Sequence, residues 1–163
     1  MFYLLKQLHS FIVSRDFIMP ECFDSWVESI ELTPFNRLET DNQVQIATAN
    51  YTAVFLFDSF DKSPAVLLAM FSAWLIDNDN TRDKYNLSAP QVSVELIDDG
   101  TAEVILSIDF IESVFLVEAE GGDIIFNGKE WNVISAPTIS EVNEITVATE
   151  GSATESPFTH GEP

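Results

Sequence analysis

Basic residues are scarce in this chain: 7 Lys and Arg stand against 27 Asp and Glu in 163 residues, a formal net charge of −20. A surface of that sign repels nucleic acid and anionic lipid. It favours basic protein partners, or a place beside DNA that must not be gripped. Histidine is rarer still. His9 lies in the first apolar stretch and His160 near the end, so no His pair has ligand spacing for zinc or iron. Cys22 is alone, which excludes an intrachain disulfide. Apolar runs stay too short to span a bilayer, and the opening MFYLLKQLHSFIV has neither a basic n-region nor a small-residue cleavage site. The reading is a soluble protein of a reducing cytoplasm whose first segment stays attached as a helix.

Glycine is absent from the first 99 residues; Gly100, Gly121, Gly122, Gly128, Gly151 and Gly161 all follow. That part of the chain offers no Gly-rich loop to cradle a phosphate, which excludes a P-loop or a dinucleotide-binding turn there. What the chain has in quantity is apolar side chains: 46% of it is hydrophobic, with 13 Phe, 3 Trp and 3 Tyr. Acidic disordered chains lack such residues, so this one folds around a core and carries its charge outside.

Leu4, Leu5, Leu8, Phe11 and Ile12 recur at spacings of three and four, which predicts a helix over about 3–18, ended by Pro20. CFDSWVESIEL then reads as a half-buried strand closed by Pro34, Gln43–Ala49 as a second strand, and YTAVFLFDSF as a central one. Ser63 and Pro64 supply a cap and a first-turn residue for AVLLAMFSAWLID, a helix to about Asp77. A polar loop, DNDNTRDKYNLSAP, leads to QVSVELI, which turns at Asp98, Asp99 and Gly100 into the long AEVILSIDFI. SVFLVEAE continues or follows it to a turn at Gly121 and Gly122, and two short strands meet at Asn127 and Gly128, the dipeptide that most favours a two-residue hairpin. The fold class expected is α+β: a mixed, mainly antiparallel sheet of six or seven strands packed with two helices.

The composition changes at Pro137. Residues 1–136 form one α+β domain in this reading, and 137–163 an acidic extended arm with five Glu and no Lys or Arg. Ile139, Val142, Ile145, Val147 and Phe158 are apolar beads on this polar string. They cannot build a core, and ordering the arm costs conformational entropy that they recover only by lying on a formed surface. We expect that surface to belong to a neighbouring subunit.

Candidate chemical sites fail on their own terms. Asp77, Asp79, Thr81 and Asp83 mimic the start of a calcium loop, but Arg82 stands where the sharp turn needs Gly and Ser88 where a bidentate Glu should close the shell, which leaves a solvated loop. Asp98 and Asp99 are neighbours in a turn, with nothing to separate their acidities into an acid and a base. No G-x-S-x-G elbow surrounds any Ser, and His9 belongs to the amphipathic helix. Trp26, Trp74 and Trp131 lack the basic groove that a base-stacking platform requires, so they are expected in the core or an interface. No enzyme, cofactor or metal is implied; what remains is a binding or structural role.

The order of these segments is similar to that of the tail completion proteins of contractile-tailed bacteriophages. The features that carry the resemblance are YTAVFLFDSF, the helix end Ala73-Trp74-Leu75 leading into acids and Asn, and the hairpin from Gln91 to Gly121. It covers roughly residues 1–137. The resemblance implies a virion protein at the neck-proximal end of the tail, capping tube and sheath and preparing head–tail joining. It further implies a homo-oligomeric ring, a hexamer, touching tube, sheath and neck or connector proteins, with DNA only passing through and no membrane partner. Six copies carry six times −20, or −120, beside a polyanion. A repulsive lining lets DNA slide, and Asp98, Asp99, Glu118, Glu120 and Asp123 are candidates to face it. Two rivals are an acidic DNA mimic, which needs carboxylates regularly spaced on one face where these are interleaved among strands, turns and arm, and a metal-dependent hydrolase, which a melting scan with Mg²⁺ or Ca²⁺ would expose.

Overall fold

Two helices lie on one face of an antiparallel sheet, and the alternation of the strands explains which face. The computed structural model describes residues 2–40, 42–98 and 100–134. Helix α1 is Tyr3–Ser14; after a single 3₁₀ turn at Pro20–Cys22 come β1 (Phe23–Thr40), β2 (Gln43–Phe60), α2 (Pro64–Asn78), β3 (Gln91–Leu96), β4 (Ala102–Glu118), β5 (Ile124–Phe126) and β6 (Lys129–Ile134). The strand order is β1-β2-β4-β6-β5, with β3 also paired to β4. Every pairing is antiparallel, so the expected α+β sheet has six strands and no mixed ladder among the described residues. β2 follows β4 along its whole length; on the other side β3 takes Ala102–Ser107 and β6 takes Phe115–Glu118.

Three boundaries differ from the sequence reading, each for a physical reason. α1 stops at Ser14 and not near residue 18: the N–H of Arg15 turns back to Ile12 O, and Asp16 takes a left-handed φ of 52° before Pro20 is reached. Pro34 does not close β1; it opposes Ala47, with a bulge before Arg37. β1 is an edge strand, where a residue without an N–H is tolerated. The two strands read over 43–49 and 51–60 are one, β2, and SVFLVE likewise continues β4. Asn50 is exposed within an unbroken ladder, so a polar residue on the outer face had imitated a turn.

Tyr51, Ala53, Phe55 and Phe57 of β2 alternate toward the helices, as do Ala102, Val104, Leu106, Ile108 and Phe110 of β4. Leu8 and Ile12 from α1 and Leu67, Phe71, Trp74 and Leu75 from α2 complete this core. Phe57 sits at its centre, with ring centroids 5.0 Å from Phe23, 6.1 Å from Phe60 and 5.8 Å from Phe71. A smaller cluster of Val44, Leu116 and Trp131 forms at the far end of β4, where Trp131 Nε1 donates to Phe126 O at 2.9 Å. The β5–β6 turn is the one the sequence predicts: Asn127 and Gly128 have φ of 52° and 75°. At Gly122 any Cβ would stand 2.5 Å from the Trp131 backbone, so only glycine passes there.

Candidate functional site

The start of α1 is tied to the sheet by one carboxylate. Phe2, before α1, supplies no side-chain cap; instead Glu112 reaches from β4 and accepts hydrogen bonds from the N–H groups of Tyr3 (2.9 Å) and Leu4 (2.7 Å). An anion at a helix N-terminus satisfies donors that have no intrahelical partner and complements the helix dipole. Tyr51 donates its hydroxyl to the same carboxylate at 2.6 Å. Burial, with Glu112 beside it, pushes the Tyr51 hydroxyl far above its ordinary acidity range. Sequence reasoning missed Glu112, although the signal was present: it falls on the inward register of Ile108 and Phe110.

The loop after α2 is not a freely solvated one. Asp79 is buried and pairs with Arg82, Nε to Oδ2 at 3.2 Å, while the guanidinium also donates to Ser88 O at 2.6 Å and Asp109 O at 2.8 Å. Burial raises the Asp79 carboxyl above its usual range, opposed by Arg82. Arg82, which spoils the calcium template, thus ties the loop to β4. His9 Nδ1 lies 2.8 Å from Ser25 Oγ and its ring packs 5.0 Å from Phe23, but the adjacent Asp24 carboxylate accepts from the Ser25 N–H, which is no catalytic triad. Among the described residues no three of His, Cys, Asp and Glu gather to hold a metal ion, and no helix is long and apolar enough to cross a membrane.

The two faces of the domain differ in charge. Across the 12 residues of α1 and the 15 of α2 there is one acid, Asp77. Between the helices runs an open groove of about 460 Å³ lined by Phe11, Phe17, Met70, Ala73 and Trp74, with Arg15, Asp77 and Asn78 at its margin. The helix-free sheet face is the reverse. By register with the core, the outward positions include Asp24 and Glu31 of β1, Glu95 of β3, and Glu103 and Asp109 of β4. Thr48, Asn50, Thr52, Gln91, Ser93, Ser107 and Ser113 fill positions between them. Glu95 and Glu103 oppose each other directly.

The acids singled out from sequence are not brought together. Asp98 holds its turn by accepting from the N–H groups of Gly100 and Thr101 and from the Thr101 hydroxyl, which holds its carboxyl below the usual carboxylate range. Glu118 ends β4 and Glu120 and Asp123 follow it, about 55 Å away along a 17-residue strand. There Glu118 pairs with Lys129. Asp99 lies outside the described residues, as do Ile139, Val142, Ile145, Val147 and Phe158. Trp74 and Trp131 are buried as expected, whereas Trp26 is 40% exposed on β1.

Residues 3–135 match the family model of P2 phage tail completion protein R (GpR). The chain belongs to this family. The match covers almost every described element, from the start of α1 to the end of β6, and makes the chain a bacteriophage tail protein concerned with tail completion. A protein of Haemophilus phage HP1 (strain HP1c1), described as an uncharacterized 19.2 kDa protein in the rep-hol intergenic region, is 28% identical over 151 residues, covering 87% of this chain and 89% of that protein. No solved structure matches the chain. The family gives the surface chemistry its setting: a structural tail protein works by the faces it presents to other tail proteins.

Proposed function

We propose that the protein completes the tail by closing its head-proximal end as a ring of copies, six in the reading that the resemblance implies. In this reading the ring seats on tube and sheath and offers the neck its site for head joining. The observation that carries the proposal is the family match over a domain whose charge is sorted by face. The open sheet face, with five acids at its outward positions, suits a wall that DNA passes without sticking. With a screening length of about 8 Å at physiological salt, only carboxylates at such a wall would act on the DNA. In this reading Asp98 stands at one end of β4 and Glu118, Glu120 and Asp123 at the other, as candidates for the two rims. The arm, 137–163, crosses to an adjacent subunit, sheath or neck protein through its apolar beads.

Negative-stain imaging of the purified protein together with its mass in solution tests the ring: closed annular particles of one copy number are expected, alone or on added tail tubes. A monomer that leaves tail ends undecorated would overturn it. Deleting residues 138–163 is expected to leave the domain folded and block tail completion; normal tails from that deletion would remove the arm from the proposal. The acids gathered on one face also answer part of the objection to a DNA mimic. Steeply salt-dependent binding to a basic DNA-handling protein, without rings, would favour that reading.

A further inference from the structure

We infer that the groove between α1 and α2 is the receptor for the C-terminal arm, with Phe158 as its anchor. The inference rests on the proposed docking role of the arm and names the surface that takes it. Two properties single out this groove. The first is chemistry: Phe11, Phe17, Met70 and Trp74 line an open apolar trough of about 460 Å³. Aromatic rings and a thioether suit a Phe ring better than they suit any polar side chain. The arm supplies one aromatic residue, Phe158, set between Glu155 and Glu162.

The second property is charge. A segment with five Glu and no cation is repelled by most of a molecule whose formal charge is −20. The open sheet face carries Asp24, Glu31, Glu95, Glu103 and Asp109 at its outward positions. On the helical side α1 has no acid at all. Lys6 lines the continuation of the trough beside Tyr3, Gln7 and Ser10, and Arg15 stands at its other end with its guanidinium over the Phe11 ring. Asp77 is the single acid lining the trough. Apolar floor and cationic ends therefore coincide where the domain is poorest in carboxylates. Described structure ends at Ile134, and the 24 residues from there to Phe158 span up to about 80 Å extended, enough to reach the groove of the same copy or of a neighbour.

Disulfide trapping in the full chain tests this. With the native thiol removed by Cys22→Ser, Ala73→Cys places one thiol on the groove and Thr159→Cys one beside the anchor. Oxidation is expected to link them at least about tenfold faster than a control pair carrying Gly100→Cys with Thr159→Cys, because docking raises the local concentration of the two thiols. Adding Phe158→Asp to the trapping pair should return the rate to the control value. Linked dimers and ladders on a denaturing gel support both the groove and the crossing of the arm between copies. A fast-migrating linked monomer supports the groove and overturns the crossing. A rate equal to that of the control overturns the groove as receptor, while the deletion of 138–163 still reports separately on whether the arm acts in tail completion.

Discussion

The two faces of this domain are made from the same strands but obey different rules. In β4 the residues Val104, Leu106, Ile108 and Phe110 are buried beneath the helices, while Glu103, Ile105, Ser107, Asp109 and Ile111, one step out of phase, form part of a face that no described helix covers. A strand alternates its side chains by geometry, so one 17-residue segment writes both faces at once. The difference teaches where the information lies. The helix-covered face determines whether the domain folds, and the open face has room for five acids.

The largest break in that comparison should come from the covered side. Phe57→Ala removes a fully buried ring at the junction of Phe23, Phe60 and Phe71, and is expected to cost about 3–5 kcal/mol of unfolding free energy. Ser107→Ala, an outward position of β4, should change stability by less than about 0.5 kcal/mol. Urea titration of both variants checks the pair, and equal losses would mean that the open face is covered in the free protein. Next comes Glu112. Glu112→Ala strands two α1 N–H groups and the Tyr51 hydroxyl, an expected loss of about 2–3 kcal/mol, whereas Glu112→Gln keeps an acceptor and should lose roughly 1 kcal/mol. Amide exchange in α1 should quicken in the alanine variant before the sheet is affected.

The same group predicts an alkaline limb. The folded hydroxyl of Tyr51 resists ionisation while the unfolded one ionises near 10.0. Ionisation thus draws the chain toward the unfolded state: stability is intact below that pH and lost as pH rises beyond it. Tyr51→Phe should flatten this limb in a stability titration, at the cost of leaving one Glu112 oxygen with fewer donors.

Much of this was legible in the sequence, and the failures share a cause. The helix after Ser63-Pro64, the Asn127-Gly128 turn and the inward runs of β2 and β4 are local patterns that survive in the structure, although Ser63 makes no side-chain cap bond and Pro64 alone supplies the start expected of the pair. Helix α1 was cut short by a left-handed Asp16 that periodicity does not encode. Pro34 and Asn50 imitated strand ends because edge position and outward register depend on partners far along the chain. Glu112 is the same lesson at the site: its inward register was visible, but its task depends on Tyr3, more than a hundred residues earlier. The open-face acids Glu103 and Asp109 were also visible as the polar beats of AEVILSIDF. Acids in turns stand out in a sequence, whereas a sheet face exists only once strands are in register.

A smaller effect would sharpen the charge side of the comparison. Glu95 and Glu103 face each other across β3 and β4, so Glu95→Lys replaces repulsion by attraction and should stabilise the domain by about 0.5 kcal/mol. The gain should shrink in high salt, since both groups stand on the surface. If the open face borders the DNA path, this stabilised variant should nonetheless form tails that release DNA more slowly. A stabilised protein with unchanged release would separate the acidity of the face from any contact with DNA.

The smallest expected effect lies at the turn that joins β3 to β4. Asp98 is fully exposed, yet the Thr101 hydroxyl and the N–H groups of Gly100 and Thr101 stabilise its charged form and hold its carboxyl below the ordinary 3.8. In the unfolded chain those donors are lost and the carboxyl takes up a proton sooner as pH falls. The contribution is therefore present above pH 3.8 and lost as pH drops through the folded value. Asp98→Ala should leave the melting temperature at pH 7 slightly lower and make the acid limb below about pH 4 shallower, both within the range of a turn contact. An acid limb identical to that of the parent would show that the turn is held by its backbone bond from Ile97 N–H to Thr101 O, with the carboxylate a spectator.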